Sequence, residues 1–254
     1  MVPPISPFPA GSPARDMDAR GSARRRLIVA LDVPDAASAL DLISRLEGTC
    51  NWFKVGLELF VAAGPAVLEP ILAGGHSVFL DLKFHDIPNT VAGAVRSASH
   101  LGARMMTLHA AGGPAMLAAA RHALDNVKSP PELLAVTMLT SMDGEQMTAV
   151  GLERSPSEQV KLLARMALGA GIRGFVCSPQ EVAALRALAG PEATLVVPGI
   201  RPSGSDAGDQ KRIATPAESL RMGASYLVVG RPITQAADPA AAADAIVMEM
   251  ATAL

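Results

Sequence analysis

The chain has 254 residues, half of them apolar, a length that suits one α/β barrel or two smaller domains and can bury a sizeable core. Aromatic residues are only 3% of the total, so that core must be built from Ala, Val, Leu, Ile and Met. A formal net charge of −2 gives no electrostatic case for binding nucleic acid or a membrane surface, no apolar run reaches the roughly 20 residues of a membrane span, and Cys50 and Cys177 stand too far apart for metal-ligand spacing.

The first two dozen residues are rich in Pro, Ser and Arg and lack the apolar stretch of a secretory signal. They read as a disordered extension over residues 1–24, with one domain from residue 25 to 254. Two cysteines without a bridging pattern suit a cytoplasmic protein.

From residue 27 onward, short β-branched runs alternate with longer Ala/Leu-rich runs. Strands are predicted at 27–31, 52–55, 78–82, 105–109, 133–138, 174–177, 194–197 and 226–229. Helices are predicted between and after them at 35–46, 59–72, 89–100, 114–126, 157–170, 179–188, 216–222 and 239–248. The strands are almost continuously apolar, as in a parallel sheet covered on both faces. Eight such units in one chain predict an α/β fold, a single-domain (β/α)₈ TIM barrel, rather than an open sheet.

Barrel enzymes place their chemistry at the carboxyl ends of the strands. Those ends are polar here: Asp32, Lys54, Asp81 with Lys83, His109, Thr140 with Ser141, Ser178, Arg201, and Gly230 with Arg231. Any strand end must meet water, which explains single polar residues. It explains poorly two Asp and two Lys on three consecutive strands. Alternation along the third strand puts Asp81 and Lys83 on one side, facing the mouth. Asp86 follows in the loop, and Asn89 or Thr90 can cap the next helix. A purely structural salt-bridge network is the competing reading, but buried ion pairs are seldom an effective way to gain stability. Residues 200–213, rich in Gly, Ser, Asp and Pro, predict a mobile loop where barrels commonly bind phosphate.

The run Asp81-x-Lys83-x-x-Asp86-Ile87-Pro88-x-Thr90 resembles the signature of the orotidine 5′-phosphate decarboxylase family. The resemblance continues through Leu31-Asp32, Phe53-Lys54-Val55-Gly56, Thr107-Leu108-His109 and Leu139-Thr140-Ser141. It ends with Pro198-Gly199-Ile200-Arg201-Pro202 and Val229-Gly230-Arg231-Pro232-Ile233, leaving only the N-terminal extension outside. It implies loss of CO₂ from orotidylate to give uridylate, with neither metal nor cofactor. Lys83 would be the cation and proton donor at C6, Asp81 would lie near the substrate carboxylate, and Asp86 would reach the site from the other subunit of a homodimer. Asp32 and Lys54 would meet the ribose and Thr140 and Ser141 the pyrimidine. Arg201, Gln210, Gly230 and Arg231 would hold the phosphate, and Thr90 belongs to the same substrate-binding set. The alternative is a magnesium-dependent sugar-phosphate lyase or synthase on the same barrel. Lys54 argues against it, because a cation stands where a metal would want a carboxylate.

Overall fold

The computed structural model describes residues 13–202 and 214–254. Eight parallel strands form a closed barrel: β1 (Leu27–Ala30), β2 (Trp52–Gly56), β3 (Ser77–Phe84), β4 (Met105–His109), β5 (Glu132–Val136), β6 (Gly174–Val176), β7 (Thr194–Val197) and β8 (Tyr226–Val229). Each pairs with the next in sequence, and β8 closes on β1 with Leu27 opposite Leu227. The expected (β/α)₈ TIM barrel is therefore the fold, and each expected strand is present to within two residues at either end.

Strand alternation divides the apolar residues into two cores. Ile28, Ala30, Phe79, Met105, Leu134, Val196 and Val228 point inward and fill the barrel. Their neighbours, among them Val29, Phe53, Leu80, Met106 and Leu195, point outward and pack under the helices. The inward parity is what positions the site. Two residues beyond Ala30 lies Asp32, two beyond Trp52 lies Lys54, and two beyond Phe79 lies Asp81. The register sets Lys54 opposite Phe79 and Gly56 opposite Asp81, so these polar groups form the layer directly above the apolar filling.

The helices depart from expectation in three ways. The run expected as one helix over 59–72 is broken into Leu57–Ala63, a 3₁₀ turn Pro65–Val67, and Leu68–Ala73. Gly64 has φ +67° and precedes a proline, which disfavours helical backbone before it. Two short helices, Gly144–Ala149 and Arg231–Thr234, fall where none was expected. The third difference is at the N-terminus. Residues read as a disordered extension are helical from Pro13 to Arg26, and that helix runs directly into β1. Pro13 stands in the first turn, where proline is well tolerated. Ala23 is fully buried, and Arg24 pairs with Asp244 at 3.0 Å on the helix Pro239–Ala251. Among the described residues no helix is long and apolar enough to cross a membrane.

Candidate active site

The carboxyl mouth of the barrel holds a chain of alternating charges. Lys54 Nζ lies 2.9 Å from Asp32 Oδ1 and 3.6 Å from Asp81 Oδ2. Lys83 Nζ lies 2.8 Å from the same Asp81 oxygen. Lys54 and Asp81 are buried, whereas Asp32 opens to the mouth. Gly56 makes room for this arrangement. A Cβ there would come within 2.7 Å of Lys54 Nζ and 3.3 Å of Asp32 Oδ1. Burial pushes the Asp81 carboxyl up, but the ammonium groups of Lys54 and Lys83 and the Thr107 hydroxyl outweigh it and hold the group below its ordinary value. Asp81 is thus an anion at any physiological pH. The stability its ionisation contributes is present above the ordinary carboxylate value and is lost only as pH falls through the lowered one.

Two connected lobes open above this layer, sharing Lys54, Pro198 and Val228. The larger, about 340 Å³, is lined by Asp32, Gly199, Arg201, Gly230, Arg231 and Gln235. A Cβ on Gly230 would meet Ala30 and Asp32 at 3.6 and 3.8 Å, so it would occupy lobe space without forcing a shift. The smaller, about 180 Å³, has walls of Phe79, Val136, Met138 and Cys177 and a charged edge of Asp81 and Lys83, with Thr140 at its rim. The first lobe suits an anion, with two guanidinium groups that can form forked hydrogen bonds. The second suits a flat ring whose reacting carbon faces the ammonium of Lys83.

The expected residues divide accordingly. Asp32, Lys54, Asp81, Lys83, Thr140, Arg201, Gly230 and Arg231 converge on the two lobes. Asp86, Thr90 and Ser141 are exposed and line neither. Asp86 Oδ1 accepts a hydrogen bond from the Ile87 amide at 2.6 Å, at the entrance to the helix Pro88–Ser99. Gln210 and the centre of the expected loop lie outside the described residues. Ser178 is buried and lines neither lobe; its amide donates to Glu181 Oε2 at 2.9 Å and starts the next helical segment. His109 is half-buried, and burial, then the charges of His85 and Lys83, push its pKa down, so the ring stays neutral beside the site. No group of three or more His, Cys, Asp or Glu that could hold a metal occurs among the described residues.

Sequence reasoning passed over Gln235 and gave Thr107 no role beyond its place in the resemblance. Thr107 is fully buried, and its Oγ1 donates to Asp81 Oδ1 at 2.9 Å. The signal was available: Thr107 is a polar residue at inward parity on a strand that is otherwise apolar up to His109.

Residues 25–246 match the model of the orotidine 5′-phosphate decarboxylase / HUMPS family. The chain belongs to that family. The orotidine 5′-phosphate decarboxylase of Moorella thermoacetica is 53% identical over 237 residues, covering 91% of this chain and 94% of that one. The enzyme of the same name from an Anaeromyxobacter species is 54% identical over 222 residues, covering 87% and 96%. The crystal structure of orotidine 5′-phosphate decarboxylase from Lactobacillus acidophilus superposes with a TM-score of 0.78 at 40% identity, covering 89% of this chain and 99% of that one.

Proposed function

We propose that this protein removes CO₂ from C6 of orotidine 5′-phosphate to give uridine 5′-phosphate, the last step of de novo UMP synthesis, without metal or organic cofactor. The observation that carries the reading is the buried Asp81 carboxylate held between two ammonium groups, with Lys83 at the edge of a ring-sized apolar lobe. When the bond from C6 to the carboxylate breaks, its electron pair stays at C6 with no π system to receive it. A preorganised cation is the way to stabilise such charge, because it costs no reorganisation during the reaction. Lys83 supplies that cation and then its proton, which forms the C6–H bond. The neutral amine regains a proton from solvent. Asp81 orients Lys83 and lies beside the departing carboxylate. Asp32 and Lys54 hold the ribose hydroxyls, Thr140 and Ser141 the pyrimidine, and Arg201, Gln210, Gly230 and Arg231 the phosphate.

The active unit is a homodimer in the cytoplasm, and Asp86 serves the partner's site. Supporting this, Asp86 sits outside its own mouth, and Ile87 beside it is 67% exposed. Leu57 and Val61, after β2 at the same end of the barrel, are also strongly exposed, an apolar face of the kind that marks an interface. The magnesium-dependent rival has little support. A divalent ion would have to displace Lys54 and Lys83 from the carboxylates they already pair with.

The phosphate grip gives the test. Binding energy from a remote, unreacting group can lower the barrier at the reacting carbon, so truncated substrates lose turnover as well as affinity. Orotidine, which lacks the phosphate, should be a very poor substrate. Arg231→Ala should lower kcat/KM for orotidylate by about 10² or more, the range for losing a charge-assisted pair, and barely change the slow reaction of orotidine. Parallel kinetics on the two substrates decide the point, and equal losses on both would remove Arg231 from the phosphate site.

A further inference from the structure

The ladder between β3 and β4 is regular at Phe79–Met105 and Leu80–Met106 and resumes only at Phe84–Leu108. Three residues of β3, Asp81 to Lys83, therefore face the single residue Thr107 of β4. An interruption of this kind is a bulge, a device that re-aims side chains near active sites. Its sharpest point is Lys83, at φ +50° the one non-glycine residue with left-handed backbone among the described residues. Lysine has no intrinsic preference for that conformation, which costs on the order of 1 kcal/mol or more and persists only when the surroundings impose it.

Thr107 supplies the imposition. Its fully buried hydroxyl accepts a hydrogen bond from the Lys83 amide at 2.9 Å and donates its proton to Asp81 Oδ1 at 2.9 Å. The other Asp81 oxygen takes Lys83 Nζ at 2.8 Å. A hydroxyl can donate one bond and accept others, so a single oxygen closes a ring through the Lys83 backbone, the Lys83 ammonium and the Asp81 carboxylate. A valine of the same shape would fill the space and leave an amide and a carboxylate oxygen unpaired.

We propose that Thr107 is a positioning residue for decarboxylation: through its bonds to the Lys83 amide and the Asp81 carboxylate it holds the left-handed kink that aims the Lys83 ammonium at the reacting carbon. This rests on the assignment of Lys83 as the proton donor. Thr107 touches no lobe surface itself and acts through its two neighbours.

The test is a set of Thr107 variants, alone and combined with Lys83→Ala. Thr107→Val should lower kcat on orotidylate about hundredfold, the loss an ångström of misplacement can cause, with KM changed less than about threefold. Thr107→Ser keeps the donor and acceptor and should stay within about fivefold of the parent. In a Lys83→Ala background, Thr107→Val should cost less than about twofold more, because residues that act as a unit are non-additive. If the valine variant fails to fold by circular dichroism, Thr107→Cys takes its place, with a thiol as a weaker donor and an intermediate loss expected. Parental kcat in the valine or cysteine variant, while Lys83→Ala is inactive, would overturn the proposal. So would a valine loss that recurs in full on top of Lys83→Ala, the behaviour of a residue that only supports the fold. A Lys83→Ala enzyme with parental turnover would overturn instead the assignment on which the proposal rests.

Discussion

Lys83→Ala is expected to lose about 10⁴-fold or more in turnover, since one side chain supplies both electrostatic stabilisation, about 10²–10³ for a single donor, and the proton, about 10²–10⁴. The fold should survive. Asp81 would keep Lys54 at 3.6 Å and the Thr107 hydroxyl at 2.9 Å, so no buried charge is left alone. Lys83 itself is partly open to solvent, so its truncation leaves no sealed cavity. A melting temperature within a few degrees of the parent is expected, consistent with a change of about 1 kcal/mol. Single-turnover measurements at saturating orotidylate report the chemical step directly. Turnover within tenfold of the parent would end the assignment.

The second large effect concerns two chains. Lys83→Ala and Asp86→Asn should each give a nearly inactive dimer. When the two are unfolded and refolded together in equal amounts, random pairing makes about half the dimers mixed. If Asp86 serves the partner's barrel, each mixed dimer has one site with both lesions and one with neither. Activity should then recover to about a quarter of the parental value per subunit. The structure motivates this. Asp86 follows the end of β3, is exposed, and is tied to the Ile87 amide rather than to the charge chain of its own mouth. No recovery, with mixed dimers verified by mass spectrometry, would return Asp86 to its own barrel.

Much of this molecule is legible in its sequence because barrel strands must be apolar on both faces. That requirement writes each strand as a run such as Leu-Ile-Val-Ala at β1 or Tyr-Leu-Val-Val at β8. The same parity that buries Ile28 and Phe79 carries Asp32 and Asp81 to the mouth, so the charge chain could be read from spacing. Yet the pairing of Asp81 with Lys83 does not come from simple alternation, as the spacing suggests. It comes from a bulge with a left-handed lysine, and no residue type at that position announces it. Thr107 lies within the resemblance but was given no role of its own, because threonine in a strand reads as an ordinary β-former. The helix Pro13–Arg26 escaped notice because it is polar nearly all round, without the apolar stripe that marks a surface helix, and is tied down by contacts distant in sequence such as Arg24 with Asp244. Asp86, Thr90 and Ser141 are a different case. The family signature and the strand ends name them, yet in the single chain they are exposed and line neither lobe.

The central claim is that charged side chains alone stabilise and protonate the carbanion at C6. It is tested most directly by incubating the protein with orotidylate in D₂O after exhaustive chelation and following the reaction by NMR. One CO₂ should be released per uridylate formed, the uridylate should carry a single deuterium at C6, and the rate should equal that of protein never exposed to chelator. Orotidylate left intact by folded protein, or turnover that returns only when Mg²⁺ or Zn²⁺ is added, would contradict it.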